Sequence, residues 1–429
     1  MRAALLSIGD ELALGQALDT NSAWLARELA ARSILTDEHR TMMDDRVALA
    51  AAIRDLTARY DLLVITGGLG PTEDDLTREA LGDVLTPDRP LVADTDALAG
   101  LERWFAEHRI PMPETNRSQA QRPEIMRMLP NSHGTAPGLA GRHQECLVYA
   151  LPGPPREMKP MFTDHVAPDL PESVDGEVLR TINVHEYGLG EASAAERLGA
   201  LTERDRKILV GTTASEAIIS ARIRVLGAPG KAENALEETA SRVEEAWQPY
   251  CYGRDDASLS SVVGGLLGEA GKTLTTAESC TGGWLGKTVV DEAGSSAYYR
   301  GGWVTYSDKL KASCLGVPLG MLQTFGAVSE EVAEAMARGA LKAAGADFAL
   351  STTGIAGPDG GTDAKPVGTV FIALARKDRE GSSASVRRFR FTRGRTAVRD
   401  RTVKSALQIL RFSLLGVSDD MPLLWQVPR

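Results

Sequence analysis

Short apolar runs that break at glycine or proline and pass straight into helical patterns recur along this chain, and they constrain its fold more than any other feature. RAALLSIG at the start, YDLLVITGG from Tyr60 and ECLVYALPGPP from Glu145 are apolar enough to be buried on both faces. TNSAWLARELAAR, with an Asn or Ser cap, and REMKPMF read as helices between and after them. Strands spaced by helices close into a parallel sheet covered on both faces, and such sheets hold ligands at the carboxyl ends of their strands. The rhythm stops at PDLPESVDGE, a polar, proline-bearing stretch that reads as a linker. An alternating strand, IISARIRVLG, and a helix from Lys231 to Gln248 with Leu236, Ala240, Val243 and Trp247 on one stripe then make a small α+β module. After a break at YGRDDASLSS the α/β rhythm resumes near Leu259. KTLTTAES, FALSTTG, VGTVFIALA and VRRFRFT read as strands, and Val403, Leu407, Leu410 and Leu414 align on a closing helix. A chain of 429 residues is too long for one ordinary core. The breaks give three domains, over residues 1–168, 178–252 and 257–416.

With 43% hydrophobic and 25% charged residues the chain has ample apolar area to bury. Its net charge of −10 gives no general attraction to nucleic acid or to an anionic membrane, so an anionic ligand must be held by local groups. The start, MRAALLSIGDELALG, turns acidic too early for a signal peptide, and no apolar run is long enough to span a bilayer. Cys146, Cys251, Cys280 and Cys314 are far apart and make no zinc spacing, which favours reduced thiols. A cytoplasmic location is therefore the expectation.

TGGLGPTEDDLTR follows the strand LLVI directly. Gly67, Gly68 and Gly70, with Pro71, let backbone amides approach a ligand, and the next helix offers its positive end to an anion. Asp74 and Asp75 fall in the first turn of that helix, and Asp10 and Glu11 end the first strand on the same edge of the sheet. One reading is a tight turn with acidic capping. The other uses the surplus acids to carry a divalent cation, magnesium or manganese, for phosphate chemistry.

In TTAESCTGG, Ser279 sits between an apolar run and a pair of glycines, as a helix cap or as a nucleophile. A nucleophile needs a base to take its proton. All six histidines precede residue 186, so a histidine within this domain is excluded. Lysine serves when burial lowers its pKa, and GSSAYYRGGWVTYSDKLKASC offers Lys309 and Lys311, which read equally as a solvated helix start. The loop STTGIAGPDGG places Thr353 and Gly354 where they line a nucleotide site, unless it is a plain surface loop. Arg395 and Arg399 open the last helix as a phosphate clamp or as exposed charges, with Arg393 beside them as an ambiguous third.

SIGDELALG, DTNSAWLA, TGGLGPTEDDLT, NRSQA and LPGPPREMK resemble the N-terminal domain of the CinA (competence/damage-inducible protein A) family, itself similar to molybdopterin-binding domains. TAESCTGG, GSSxYY, GWVTYSxxxK, TGIAGPDGG and VGTVFIA resemble the C-terminal CinA domain, a module also found alone as nicotinamide mononucleotide deamidase. The middle module resembles the small KH-like domain between them. The string GAPG fits the letters of a KH grip loop but follows a strand, with no basic patch beside it, so a structural or dimer-forming role is preferred over nucleic-acid binding.

The resemblance implies an α/β fold with a molybdopterin-binding-like doubly wound first domain, a KH-like α+β middle and an α/β deamidase domain. For the first domain it implies ADP-ribose pyrophosphatase activity with magnesium, manganese or cobalt. Asp74, Asp75, Asp10 and Glu11 would be the ligands, with Gly67, Gly68, Gly70, Thr72, Asn21 and Asn116 around the nucleotide. For the last domain it implies deamidation by Ser279 as nucleophile, Lys311 as general base, Ser296 as a bridging hydroxyl and Tyr306 in support. Glu278, Gly282, Thr353, Gly354, Arg395 and Arg399 would bind the substrate, backbone amides from Thr281 to Gly283 would hold the oxyanion, and no metal is needed. A homodimer is implied as well. A non-catalytic competence regulator and a molybdopterin-binding protein are the alternatives.

Overall fold

The computed structural model describes residues 1–171, 176–203, 207–378 and 381–428; residues 172–175, within the expected linker, lie outside them. The chain divides into two compact units, Met1–Arg180 with Val225–Glu233, and Thr181–Arg224 with Asn234–Arg429.

The first unit is built on a six-stranded sheet in the order Leu35–Met42, Arg2–Ile8, Leu62–Thr66, Cys146–Leu151, Gly138–His143, Arg127–Leu129. The first four strands are parallel and the last two antiparallel. Side chains alternate across a strand, so an all-apolar strand feeds two cores at once. Ala4, Leu6, Leu63 and Ile65 enter one core and Ala3, Leu5, Leu62 and Val64 the other. Leu35–Met42, LTDEHRTM, lies at the sheet edge without one buried residue, and its polarity hid it from the apolar pattern. The helix Thr20–Ala31 is capped by Asp19, which accepts from the Ser22 amide at 2.9 Å, rather than by Asn21 or Ser22.

The middle module's sheet runs Ile208–Ser215, Ile218–Gly227, Val178–Glu186, Cys251–Arg254. Its helices are Glu191–Leu198 and Lys231–Trp247. Trp247 is fully buried and donates from Nε1 to Ala194 O at 2.9 Å.

The C-terminal sheet has five strands in the order Tyr299–Val304, Leu274–Glu278, Phe348–Gly354, Thr369–Asp378, Gly381–Arg390. The first three are parallel and the remaining two add antiparallel. From Leu274–Glu278 the chain crosses to a neighbour on one side and then to one on the other. That reversal opens a crevice at the strand's carboxyl end. Helix Glu330–Ala344 covers one face through Val332, Met336 and Ala340. No helix among the described residues is long and apolar enough to cross a membrane.

Candidate active site

Ser279 is the first residue beyond the strand Leu274–Glu278, and its amide donates to Thr352 O on the neighbouring strand at 2.9 Å. The chain then turns through Gly282 (φ 60) and Gly283 (φ 92), left-handed positions that favour glycine, into helix Trp284–Val290. Glu278, only 2% exposed, holds this turn: Oε2 accepts from the amides of Gly283 at 2.9 Å and Leu285 at 3.0 Å, and Oε1 accepts from Gly286 at 2.7 Å. Three amides occupy the carboxylate, so Glu278 shapes the turn after Ser279 and its oxygens are already engaged. The oxyanion expectation shifts too, because the Gly282 amide is given to Ser279 O and the Gly283 amide to Glu278. Cys280 and Thr281 supply the amides that remain.

Lys311 lies in the first turn of helix Asp308–Leu315, which Ser307 caps. Its side chain is 1% exposed, and Nζ stands 3.2 Å from Ser279 Oγ while donating to Thr305 O at 2.9 Å. Burial pulls the amine below its ordinary lysine range, against the opposing pull of Asp308 and Cys280. Lys309 is exposed, so of the two lysines it is Lys311 that the fold brings to Ser279. Thr305 Oγ1 is buried and has no hydrogen-bond partner among the described residues, and Thr281 Oγ1 pairs with Thr352 Oγ1 at 2.7 Å. Thr305 lies within GWVTYSxxxK and Thr352 within STTGIAGPDGG, but neither stood out there, since a threonine at a strand end looks like any other.

Ser296 is not part of this cluster. It precedes strand Tyr299–Val304, whose Tyr299 pairs with Leu274 at the start of strand Leu274–Glu278, whereas Ser279 follows that strand's end. Parallel pairing therefore puts Ser296 at the opposite sheet edge, a strand's length or roughly 15 Å away. Thr353 and Gly354 are structural as well. Thr353 Oγ1 donates to Ala327 O at 2.7 Å, and a Cβ on Gly354 would meet Thr369 O at 2.8 Å.

Tyr306 is 60% exposed, and Arg395 Nη2 lies 3.4 Å from its hydroxyl while Arg395 Nη1 donates to Gly357 O at 3.0 Å. Arg399 Nη2 donates to Thr281 O at 2.7 Å and its guanidinium lies 5.1 Å from the Trp284 ring centre. Arg399 thus braces the turn after Ser279, while Arg395 stays exposed at the rim.

In the first unit a cavity of about 370 Å³ opens at the carboxyl ends of the strands, lined by Gly67, Gly68, Gly70, Pro71, Glu11 and Asp44 among others. A Cβ on Gly67 would fall onto the Ile8 carbonyl and one on Gly70 into the Asp75 carboxylate, so close packing requires both glycines. Asp75 accepts from the amides of Gly70 at 2.7 Å and Thr72 at 2.9 Å and from Thr72 Oγ1, so Asp75 and Thr72 clamp their own loop. Arg78, 2% exposed, donates to the carbonyls of Leu69 and Gly70 from below, and burial lowers its guanidinium to about 10. Asn21 ties Thr66 Oγ1 at 3.0 Å to Gly153 O at 2.7 Å, and Asn116 supports Gln119 at 2.7 Å.

The four acids expected to ligate a metal do not form a ligand set. Among the described residues no three His, Cys, Asp or Glu side chains are arranged to hold an ion. Asp75 faces into its loop, and Asp10 is bound up with Asp44, each carboxylate accepting from the other's amide at 3.0 and 3.1 Å. Burial, followed by repulsion from Asp10, Asp74 and Glu11, pushes Asp44 above the usual carboxylate range despite the bond from the Asp10 amide.

Residues 4–172 match the probable molybdopterin binding domain, residues 180–253 the damage-inducible protein CinA KH domain, and residues 256–414 the CinA C-terminal domain. A CinA-like protein of Geobacter metallireducens is 41% identical over 418 residues, covering 97% of this chain and all of that one. The chain belongs to the CinA family. A CinA-like protein of Geobacter sulfurreducens is 40% identical over 419 residues, again covering 97% of this chain and all of its own. The crystal structure of competence/damage inducible protein CihA from Agrobacterium tumefaciens is 42% identical, with a TM-score of 0.35, and covers 37% of this CinA chain and 93% of its own.

Proposed function

We propose that this chain is a two-site nucleotide hydrolase whose C-terminal site deamidates nicotinamide mononucleotide by a serine/lysine mechanism. One observation carries the reading: a buried amine 3.2 Å from the hydroxyl of a serine at the carboxyl end of a central strand. Burying an ammonium group is costly, and a protein that used this face only as a docking surface would gain nothing from it. Ser279 Oγ attacks the carboxamide carbon as Lys311 Nζ takes its proton, and the oxyanion forms against the Cys280 and Thr281 amides. Lys311 returns the proton to the departing nitrogen, which leaves as ammonia. Water then cleaves the acyl-enzyme, releasing nicotinate mononucleotide. Arg395, with its exposed guanidinium, meets the phosphate, and Arg399 fixes the turn. The test is ammonia release from nicotinamide mononucleotide by the intact chain, with product identification; no release by the wild-type protein would refute the assignment.

For the first unit we propose hydrolysis of ADP-ribose to AMP and ribose 5-phosphate, with the diphosphate against the glycine loop Gly67–Gly70. The absence of a three-ligand cluster among the described residues argues against a resident metal. A divalent ion, magnesium, manganese or cobalt, would then arrive as part of the substrate complex, as magnesium commonly does with phosphates.

A further inference from the structure

Arg393 begins the helix Gly394–Leu414 with φ 74 and ψ 30, a left-handed conformation that costs an arginine energy and a glycine almost none. Its neighbour across the turn is Arg401, 6% exposed, which gives Nη1 to Thr392 O at 2.9 Å and lies 4.4 Å from the Trp425 ring centre. Burial, and then repulsion from Arg393, pulls the Arg401 guanidinium below its usual range. Among the described residues neither arginine has a carboxylate within ion-pair distance, although their helix neighbour Lys404 has two. Both guanidiniums line a cavity of about 270 Å³, whose apolar wall is Ile219, Leu424 and Trp425 and whose acidic residues are Glu191 and Glu216.

This cavity is separate from the amidase site. Arg395 and Arg399, four residues apart, share the helix face that serves Ser279. Arg401, two residues beyond Arg399, points about 200° round the helix. Two cations held together with no carboxylate in ion-pair contact among the described residues, one in strained backbone and one buried, are a cost that a dianion in the cavity would lower.

We infer that Arg393 and Arg401 bind a small phosphomonoester carrying a flat apolar group, the phosphate on the guanidiniums and the ring against Trp425. A phosphomonoester carries close to two negative charges at neutral pH, which matches the pair. Glu191 and Glu216 select against longer, more highly charged polyphosphates. The cavity volume limits the ligand to a monophosphate with one small ring.

The experiment is calorimetric titration of the full chain with phenyl phosphate, with inorganic phosphate and inorganic pyrophosphate as comparisons. Phenyl phosphate is expected to bind at least tenfold more tightly than either comparison. Arg393→Gly should weaken it tenfold or more, with an unliganded melting temperature equal to or above wild type because the backbone strain is gone. Arg401→Gln should weaken it similarly, and Arg395→Gln should leave this binding event intact. No binding at millimolar phenyl phosphate, wild-type affinity in Arg393→Gly, or loss of binding in Arg395→Gln would each overturn the assignment, the last by moving the ligand to the amidase face.

Discussion

Lys311 reaches Ser279 from a different crossover: the serine ends one strand, and the lysine opens the helix that follows the next strand, with the Thr305 carbonyl holding its amine between them. The pair exists only because the two strands are parallel and neighbours, which brings both carboxyl ends to one edge. If this amine is the base, Ser279→Ala and Lys311→Met should each lower the rate of ammonia release from nicotinamide mononucleotide by at least about a thousandfold. The double variant should be little worse than either single one, since the two act as a unit. Additive losses measured by steady-state kinetics would show that they act separately.

Stability gives an independent check on the same lysine. Burial places its folded pKa below the unfolded value of 10.5. Below both values the folded state bears the full cost of a buried ammonium, and that cost is relieved as pH rises from the folded pKa to 10.5. Lys311→Met should therefore raise the midpoint of urea denaturation at pH 7, with the gain shrinking toward zero as pH approaches 10.5. An unchanged gain across that range would mean that folding does not lower the pKa of this amine.

Much of this site was legible in the sequence because the chemistry left residue types that a bland fold does not need. TTAESCTGG placed a serine at a strand end, and the lack of histidine after residue 185 forced attention onto lysine. What was not legible depended on strand order. The resemblance made Ser296 a bridging hydroxyl beside Ser279, but the register of Tyr299 with Leu274 sends it to the far edge. Glu278 carried the charge expected of a ligand, yet the amides of Gly283, Leu285 and Gly286 claim it, and a carboxylate looks the same in sequence whether it is occupied or free. Likewise Asp74 and Asp75 suggested a metal, whereas Asp75 turns inward to hold Gly70 and Thr72.

Glu278→Gln tests the bracing role. A glutamine amide offers two donors and one acceptor, so at least one of the amides it faces loses its partner in a buried place, a cost of about 1–3 kcal/mol. The variant should unfold at lower denaturant and lose amidase turnover through a misplaced Ser279, with kcat falling more than KM rises. A rise in KM alone would return Glu278 to the substrate.

The first unit can be separated from the second by one methyl group. In Gly70→Ala the new Cβ would fall within the Asp75 carboxylate, so the loop must open and release the Thr72 clamp. ADP-ribose cleavage should fall at least tenfold while deamidation is untouched. EDTA should have the same selectivity, stopping ADP-ribose cleavage alone, because no step proposed at Ser279 uses a metal ion. Inhibition of both activities by the chelator would contradict the lysine scheme.

Glu186 makes the last case. It is fully buried at the end of strand Val178–Glu186; Oε2 accepts from the Leu189 amide at 3.1 Å and Oε1 has no partner among the described residues. Burial pushes the carboxyl up to about 8 from 4.5, against the lowering effects of the Leu189 amide and Arg197. A group whose folded pKa is raised contributes stability that is whole below 4.5 and is lost as pH climbs to about 8. Glu186→Gln keeps the shape and the bond from Leu189 but has no proton to lose. Its melting temperature should match wild type near pH 5, exceed it increasingly up to pH 8, and keep a constant lead above that. A variant less stable than wild type at pH 8 would mean that the ionised carboxylate finds a partner in the folded chain, and that Arg197 reaches it.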